Sequence, residues 1–184
     1  MSMFRNRLKS LIALPAMAGV LLLTACQASG GGTIPSASCG GAGRAPATFG
    51  FTFQGSDEFG FPAFGTFTGT YRDAGACGFR GGVALRGAGH PVPPDSPLGP
   101  PTAGSAGAFF VDYESTNPVY PGTGQFLVFV SDSGVRGPGA GDTFSLAVLS
   151  GPYGPSDQNP AGYFNSGTVE SGNITVLQGQ QFTP

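Results

Sequence analysis

This chain of 184 residues has no tryptophan, one histidine and three cysteines, and only 10% of its residues are charged. Its one lysine, Lys9, lies in the first ten residues. From residue 10 onward there is therefore no amine for a Schiff base and no partner for a Ser–Lys pair. A basic patch for nucleic acid or for anionic lipid head groups has nothing to be built from, so no nucleic-acid partner is expected. The single histidine, His90, stands next to Pro91 in a proline-rich run. Asp95 could orient it and Ser96 or Ser105 could attack, but no spacing supports a hydrolase. No G-x-S-x-G, H-E-x-x-H or Cys/His pairing is present. No catalytic residue is expected, and the chain reads as a non-enzyme.

Long apolar runs are also missing, with one exception. Leu11 to Ala25 carries no charge and follows Arg5, Arg7 and Lys9. At about 15 residues, and holding Pro15 and Gly19, it falls short of the roughly 20 that a membrane-spanning helix needs. A basic start, a short apolar centre and small residues at its end describe an export signal. The stretch ends in Leu23-Thr24-Ala25-Cys26, which resembles the lipobox of bacterial lipoproteins. The resemblance implies cleavage after residue 25 and a diacylglyceryl group on Cys26, with palmitate-type acyl chains holding the protein to a membrane of the cell envelope. Gln27 after the cysteine implies the outer membrane if the source is Gram-negative. Loss of residues 1–25 lowers the basic count from eight to five and keeps all ten acids, leaving a net charge near −5.

Cys26 aside, Cys39 and Cys77 remain. In an oxidising compartment the expectation is one disulfide between them, closing a loop of about 38 residues worth roughly 4 kcal/mol. Free thiols or a metal pair are the alternatives.

Thirty-three glycines and 17 prolines are interleaved with 16 phenylalanines. Residues 26–46 are small and polar, and read as a lipidated cysteine followed by a flexible tether. Residues 47–184 read as a single β-domain. Ala47–Gln54 alternates Phe49, Phe51 and Phe53 with Thr48, Gly50 and Thr52, which is the period of a half-buried strand. Further strands are expected at Phe64–Arg72, Val83–Arg86, Ala108–Ser115, Gln125–Ser131, Asp142–Ser150, Gly162–Asn165 and Gly172–Leu177. A Pro-rich insertion near 90–102 reads as a surface excursion. No stretch after Gln27 has helical periodicity. The fold class is all-β, an antiparallel sandwich or flattened barrel of about seven or eight strands.

From Phe126 to Leu146 the chain reads F-L-V-F-V-S-D-S-G-V-R-G-P-G-A-G-D-T-F-S-L, and Glu170-Ser171-Gly172-Asn173-Ile174 opens its last strand. This pattern is similar to the post-COAP-type β-modules of bacterial surface proteins, a resemblance that implies fold rather than activity. Asp132 and Asp142 bracket the glycine-rich loop. Asp can accept backbone N–H groups two residues on, which makes both turn residues. Calcium is the alternative reading of the pair, since two carboxylates plus loop carbonyls supply hard oxygens. Asp57-Glu58 is a second acidic pair of the same kind, and Asn173-Ile174-Thr175 matches a glycosylation sequon to which no modification is assigned. Tyr120 and Tyr153 are candidate contacts for a glycan, a peptide or another envelope protein, or else caps on the ends of the core. The expected function is a membrane-anchored lipoprotein displaying a β-domain for envelope or extracellular interaction. The alternatives are a passive structural envelope component or a hydrolase.

Overall fold

The computed structural model describes residues 27–37, 45–55, 65–92, 106–135, 141–157 and 159–177. The signal segment, Cys26, Cys39, Asp57-Glu58, Asp95, Ser96 and Ser105 lie outside them. Nine strands are present among the described residues: β1 (Gln27–Ile34), β2 (Ala47–Gly55), β3 (Gly65–Asp73), β4 (Val83–Pro91), β5 (Ala106–Ser115), β6 (Thr123–Ser131), β7 (Thr143–Val148), β8 (Phe164–Thr168) and β9 (Ser171–Leu177). All neighbours are antiparallel, in the single sheet order β8-β7-β6-β5-β4-β3-β2-β1-β9. The all-β class is as expected, as one curled antiparallel sheet with nine described strands where seven or eight were expected.

Alternation explains the curl. Phe49, Phe51 and Phe53 of β2 are buried while Thr48, Thr52 and Gln54 face out. Phe67 and Tyr71 of β3, Val111 and Tyr113 of β5, and Phe144 and Leu146 of β7 turn the same way. Phe49 stacks on Phe144 at 4.2 Å and 14°. Those strands are five places apart in the sheet, so the sheet has wrapped until its inner face meets itself. Phe109 packs against both Phe53 and Phe67 at 4.9 Å. Each such ring removed from water contributes about 2–3 kcal/mol.

Two expectations need correction. Gln27–Ile34 is not a tether; it is β1, paired with β2 on one side and β9 on the other. A tether was expected because Gly30, Gly31 and Gly32 carry nothing to alternate. Here the missing side chains are what the packing needs. A Cβ on Gly30 would lie 2.7 Å from the Phe51 ring, and one on Gly32 would lie 2.0 Å from the Ser171 carbonyl oxygen. The second correction concerns the Pro-rich segment, whose first two residues belong to β4 rather than to a surface excursion. His90 pairs with Phe110 and Pro91 with Phe109. Pro91 is tolerated because it ends the strand, where a missing N–H interrupts no ladder.

The two edge strands are adjacent in sequence yet lie at opposite ends of the sheet. Only Val169 and Glu170 separate them. The Val169 N–H donates to the Asp142 carbonyl and the Glu170 N–H to the Thr33 carbonyl, both at 2.8 Å. The sheet must therefore come round on itself. Pro35 follows β1 beside β8, where its carbonyl accepts the Asn165 side-chain amide at 3.0 Å.

Candidate functional site

The outer face of the sheet carries Thr52, Thr68, Thr70, Arg86, Asp112 and Glu114, all exposed. Gly50 sits among them on the same face and lowers the floor. The result is an open groove of about 960 Å³ crossing β2 to β6. A second depression of about 520 Å³ continues past Arg72 to the Asn117 turn, sharing Gly50, Thr70 and Arg86 with the first.

Register sets the chemistry of this groove. Thr70, Arg86 and Glu114 lie directly opposite one another on β3, β4 and β5. Asp112 lies opposite Gln125 on β6 and accepts its side-chain amide at 2.8 Å. The Thr52 and Thr68 hydroxyls are 2.9 Å apart. Guanidinium groups thus stand over β3 and β4, and carboxylates over β5. Hydroxyls line the floor between β2 and β3. The groove offers donors and acceptors to an extended polar ligand, and it presents no nucleophile–base pair.

Two further clusters are built around sequence-identified residues. Asp132 and Asp142 hold the seam. Asp132 Oδ1 accepts the Gly134 N–H at 2.7 Å, and its Oδ2 accepts the Val176 N–H at 2.9 Å. Asp142 Oδ1 accepts the Ser133 N–H at 2.9 Å and the Ser133 hydroxyl at 3.0 Å; its Oδ2 accepts the Ile174 N–H at 2.8 Å. All four carboxylate oxygens are engaged. Burial pushes the Asp142 carboxyl up, but hydrogen bonds from Ile174 and Ser133 outweigh it and hold the group below the usual carboxylate range. The turn reading of the loop holds for Asp132–Gly134. Its longer reach, to the free edge of β9, was not visible in the sequence.

Tyr120 and Tyr153 come together, as their candidacy requires, but Tyr153 is fully buried. Its hydroxyl is 3.0 Å from that of Ser115. Its ring lies 5.6 Å from Tyr120 and 5.3 Å from Phe79. Tyr120 is half-buried and accepts the Arg80 N–H at 3.3 Å. Both rings close one end of the core. His90 is exposed, and its ring lies 6.2 Å from Phe110. Asn173 donates its side-chain amide to the Ile174 carbonyl and the Thr175 hydroxyl, both at 3.0 Å.

A third cluster was not singled out from sequence. Asp73 is fully buried and accepts from the Ser36 hydroxyl and the Ala37, Gly75 and Tyr163 donors. The Tyr163 hydroxyl donates its hydrogen bond to Asp73, so it accepts from Tyr71 at 2.6 Å, and Tyr71 accepts from Asn165 at 2.7 Å. Burial pushes both phenols far above their ordinary value, and the Asp73 charge adds to the effect. Asp73-Ala74-Gly75, with Asp two residues before a turn glycine, was the available signal.

Cys77 is half-buried, and its N–H donates to the Ala37 carbonyl at 3.3 Å. Among the described residues no group of three or more His, Cys, Asp or Glu could hold a metal ion, and no helix is long and apolar enough to cross a membrane. Comparison with family models, curated proteins and solved structures gives no match.

Proposed function

We propose that this chain is a lipid-anchored, non-catalytic envelope protein whose barrel binds an extended polar ligand, a glycan or a segment of another envelope protein, in the groove across β2 to β6. The observation that carries the reading is the Thr70–Arg86–Glu114 row set in that groove. Cation, hydroxyl and anion lie side by side on exposed strands, so a ligand can pair with each in turn. The anchor rests on Leu23-Thr24-Ala25-Cys26 and the basic, apolar segment before it. The buried strand aromatics point inward, with Phe129 and Phe164 exposed, and threonines and charges point outward, the reverse of a barrel that spans a bilayer, which favours a barrel held at the membrane by its lipid. A disulfide between Cys39 and Cys77 belongs to the same reading. It is supported by the Cys77 N–H donating to the carbonyl of Ala37, two residues before Cys39.

Assembly through open strand edges is the competing reading. It is disfavoured because the Ile174 and Val176 N–H groups on the β9 edge already donate to Asp142 and Asp132.

Affinity capture from detergent-solubilised membranes, with the native anchor in place, tests the proposal. A partner or glycan retained by the wild type and lost by Arg86→Glu supports it. Equal capture by both, or none by either, sinks it. Incorporation of a labelled fatty acid by the wild type but not by Cys26→Ser tests the anchor separately.

A further inference from the structure

We infer that the barrel stands directly on lipid head groups, with the end bearing Gln54 and Val135 against the bilayer and the end bearing Val119 and Leu149 facing away. The inference rests on the lipid-anchor reading and adds to it an orientation and a contact surface. Acylation alone would leave both open if a tether followed the cysteine. No such slack exists here. Gln27, one peptide unit after Cys26, is already in register with Gln54 of β2 and Leu177 of β9. One residue spans about 3.8 Å, so an acyl chain on Cys26 pins this end of β1 at the membrane surface.

The meander decides what comes with it. Each antiparallel strand reverses the last, so the ends of β2, β4 and β6 lie at the end where β1 begins. The β3–β4, β5–β6 and β7–β8 connections lie at the other. The seam ties the β6–β7 loop to the anchor more closely still. Asp132 in that loop holds the Val176 N–H, and Val176 pairs with Ala28, two residues from Cys26. Val135, in the same loop, is 60% exposed. An uncovered valine thus stands beside the anchored end, next to two carboxylates already taken up by donors of the fold. The opposite end carries Val119, 49% exposed, and Leu149, 43% exposed, near the Phe79–Tyr120–Tyr153 cluster.

The chain has no tryptophan, so a single one reports its own surroundings. Full-length Val135→Trp and Val119→Trp proteins, processed in a bacterial host, are reconstituted into phosphatidylcholine vesicles containing a lipid whose head group carries a nitroxide quencher. Intact mass first shows whether Cys26 is acylated. In acylated protein the expected result is several-fold stronger quenching for Val135→Trp than for Val119→Trp. Equal or reversed quenching in acylated protein overturns the orientation and leaves the anchor reading standing. Absence of the acyl mass overturns both. Gln54→Trp and Leu149→Trp provide a second pair, at exposed positions on the same two ends, should either valine variant fail to fold.

Discussion

Asp142 Oδ2 accepts the Ile174 N–H at 2.8 Å, across 32 positions of sequence. A carboxylate at the start of β7 thereby occupies the outward edge of β9, and the last strand is held on both sides without a second ladder.

This contact has a pH signature. The Asp142 carboxyl is held below its ordinary value, so its contribution to stability is complete above the unfolded value of about 3.9 and is lost as pH falls through the folded one. The melting midpoint should drop as pH falls below about 4. Asp142→Asn should be less stable near neutral pH by about 2 kcal/mol, and its midpoint should vary less over the acid range. Thermal melts of both proteins across that range check this. Identical acid profiles would remove Asp142 from the explanation.

The buried phenols act at the other end of the scale. Burial raises Tyr71, Tyr113 and Tyr163, with Tyr71 and Asp73 adding to the rise at Tyr163. Neutral phenol is favoured in the fold, so this contribution is complete below about pH 10 and is lost as pH climbs toward the folded values. Ultraviolet titration should find Tyr71, Tyr113 and Tyr163 still protonated at pH values where a free phenol has ionised. Tyr163→Phe takes one of four donors from Asp73 and should cost about 1–3 kcal/mol in a denaturant melt.

Neighbouring glycines distinguish a strand from a tether. A Cβ on Gly32 would sit 2.0 Å from the Ser171 oxygen, whereas on Gly31 its nearest neighbour would be 3.5 Å away. Gly32→Ala should destabilise by about 2 kcal/mol or more, and Gly31→Ala by well under 1 kcal/mol. Were 27–34 a free leash, the two melts would coincide.

The expected Cys39–Cys77 bridge predicts that Cys77→Ser, or reduction of the wild type, lowers stability by roughly 4 kcal/mol. Denaturant melts with and without reductant measure it. A wild type indifferent to reductant would argue for free thiols.

Eight of the nine described strands overlap runs read from sequence, most plainly where large apolar side chains alternate with polar ones, as Phe49, Phe51 and Phe53 do in β2 and Phe144, Leu146 and Val148 do in β7. β1 could not be read in this way, since Gly30 and Gly32 act through the space they leave for Phe51 and Ser171. The turn role of Asp132 was legible because Gly134 is two residues away. Its hold on Val176 was not, because that contact depends on the sheet wrapping round. The groove was hidden for a related reason. Thr70, Arg86 and Glu114 are scattered in sequence, and only strand register sets them in a row.

The pairing of the first strand with the last also sets a timetable. β1 leaves the ribosome early, yet one of its two ladders waits for residues 171–177. Until they arrive the sheet lacks its final member, and non-local pairings of this kind form slowly. A polypeptide that must cross a membrane before it folds gains from such a delay, because its completed form cannot assemble while its tail is still being made.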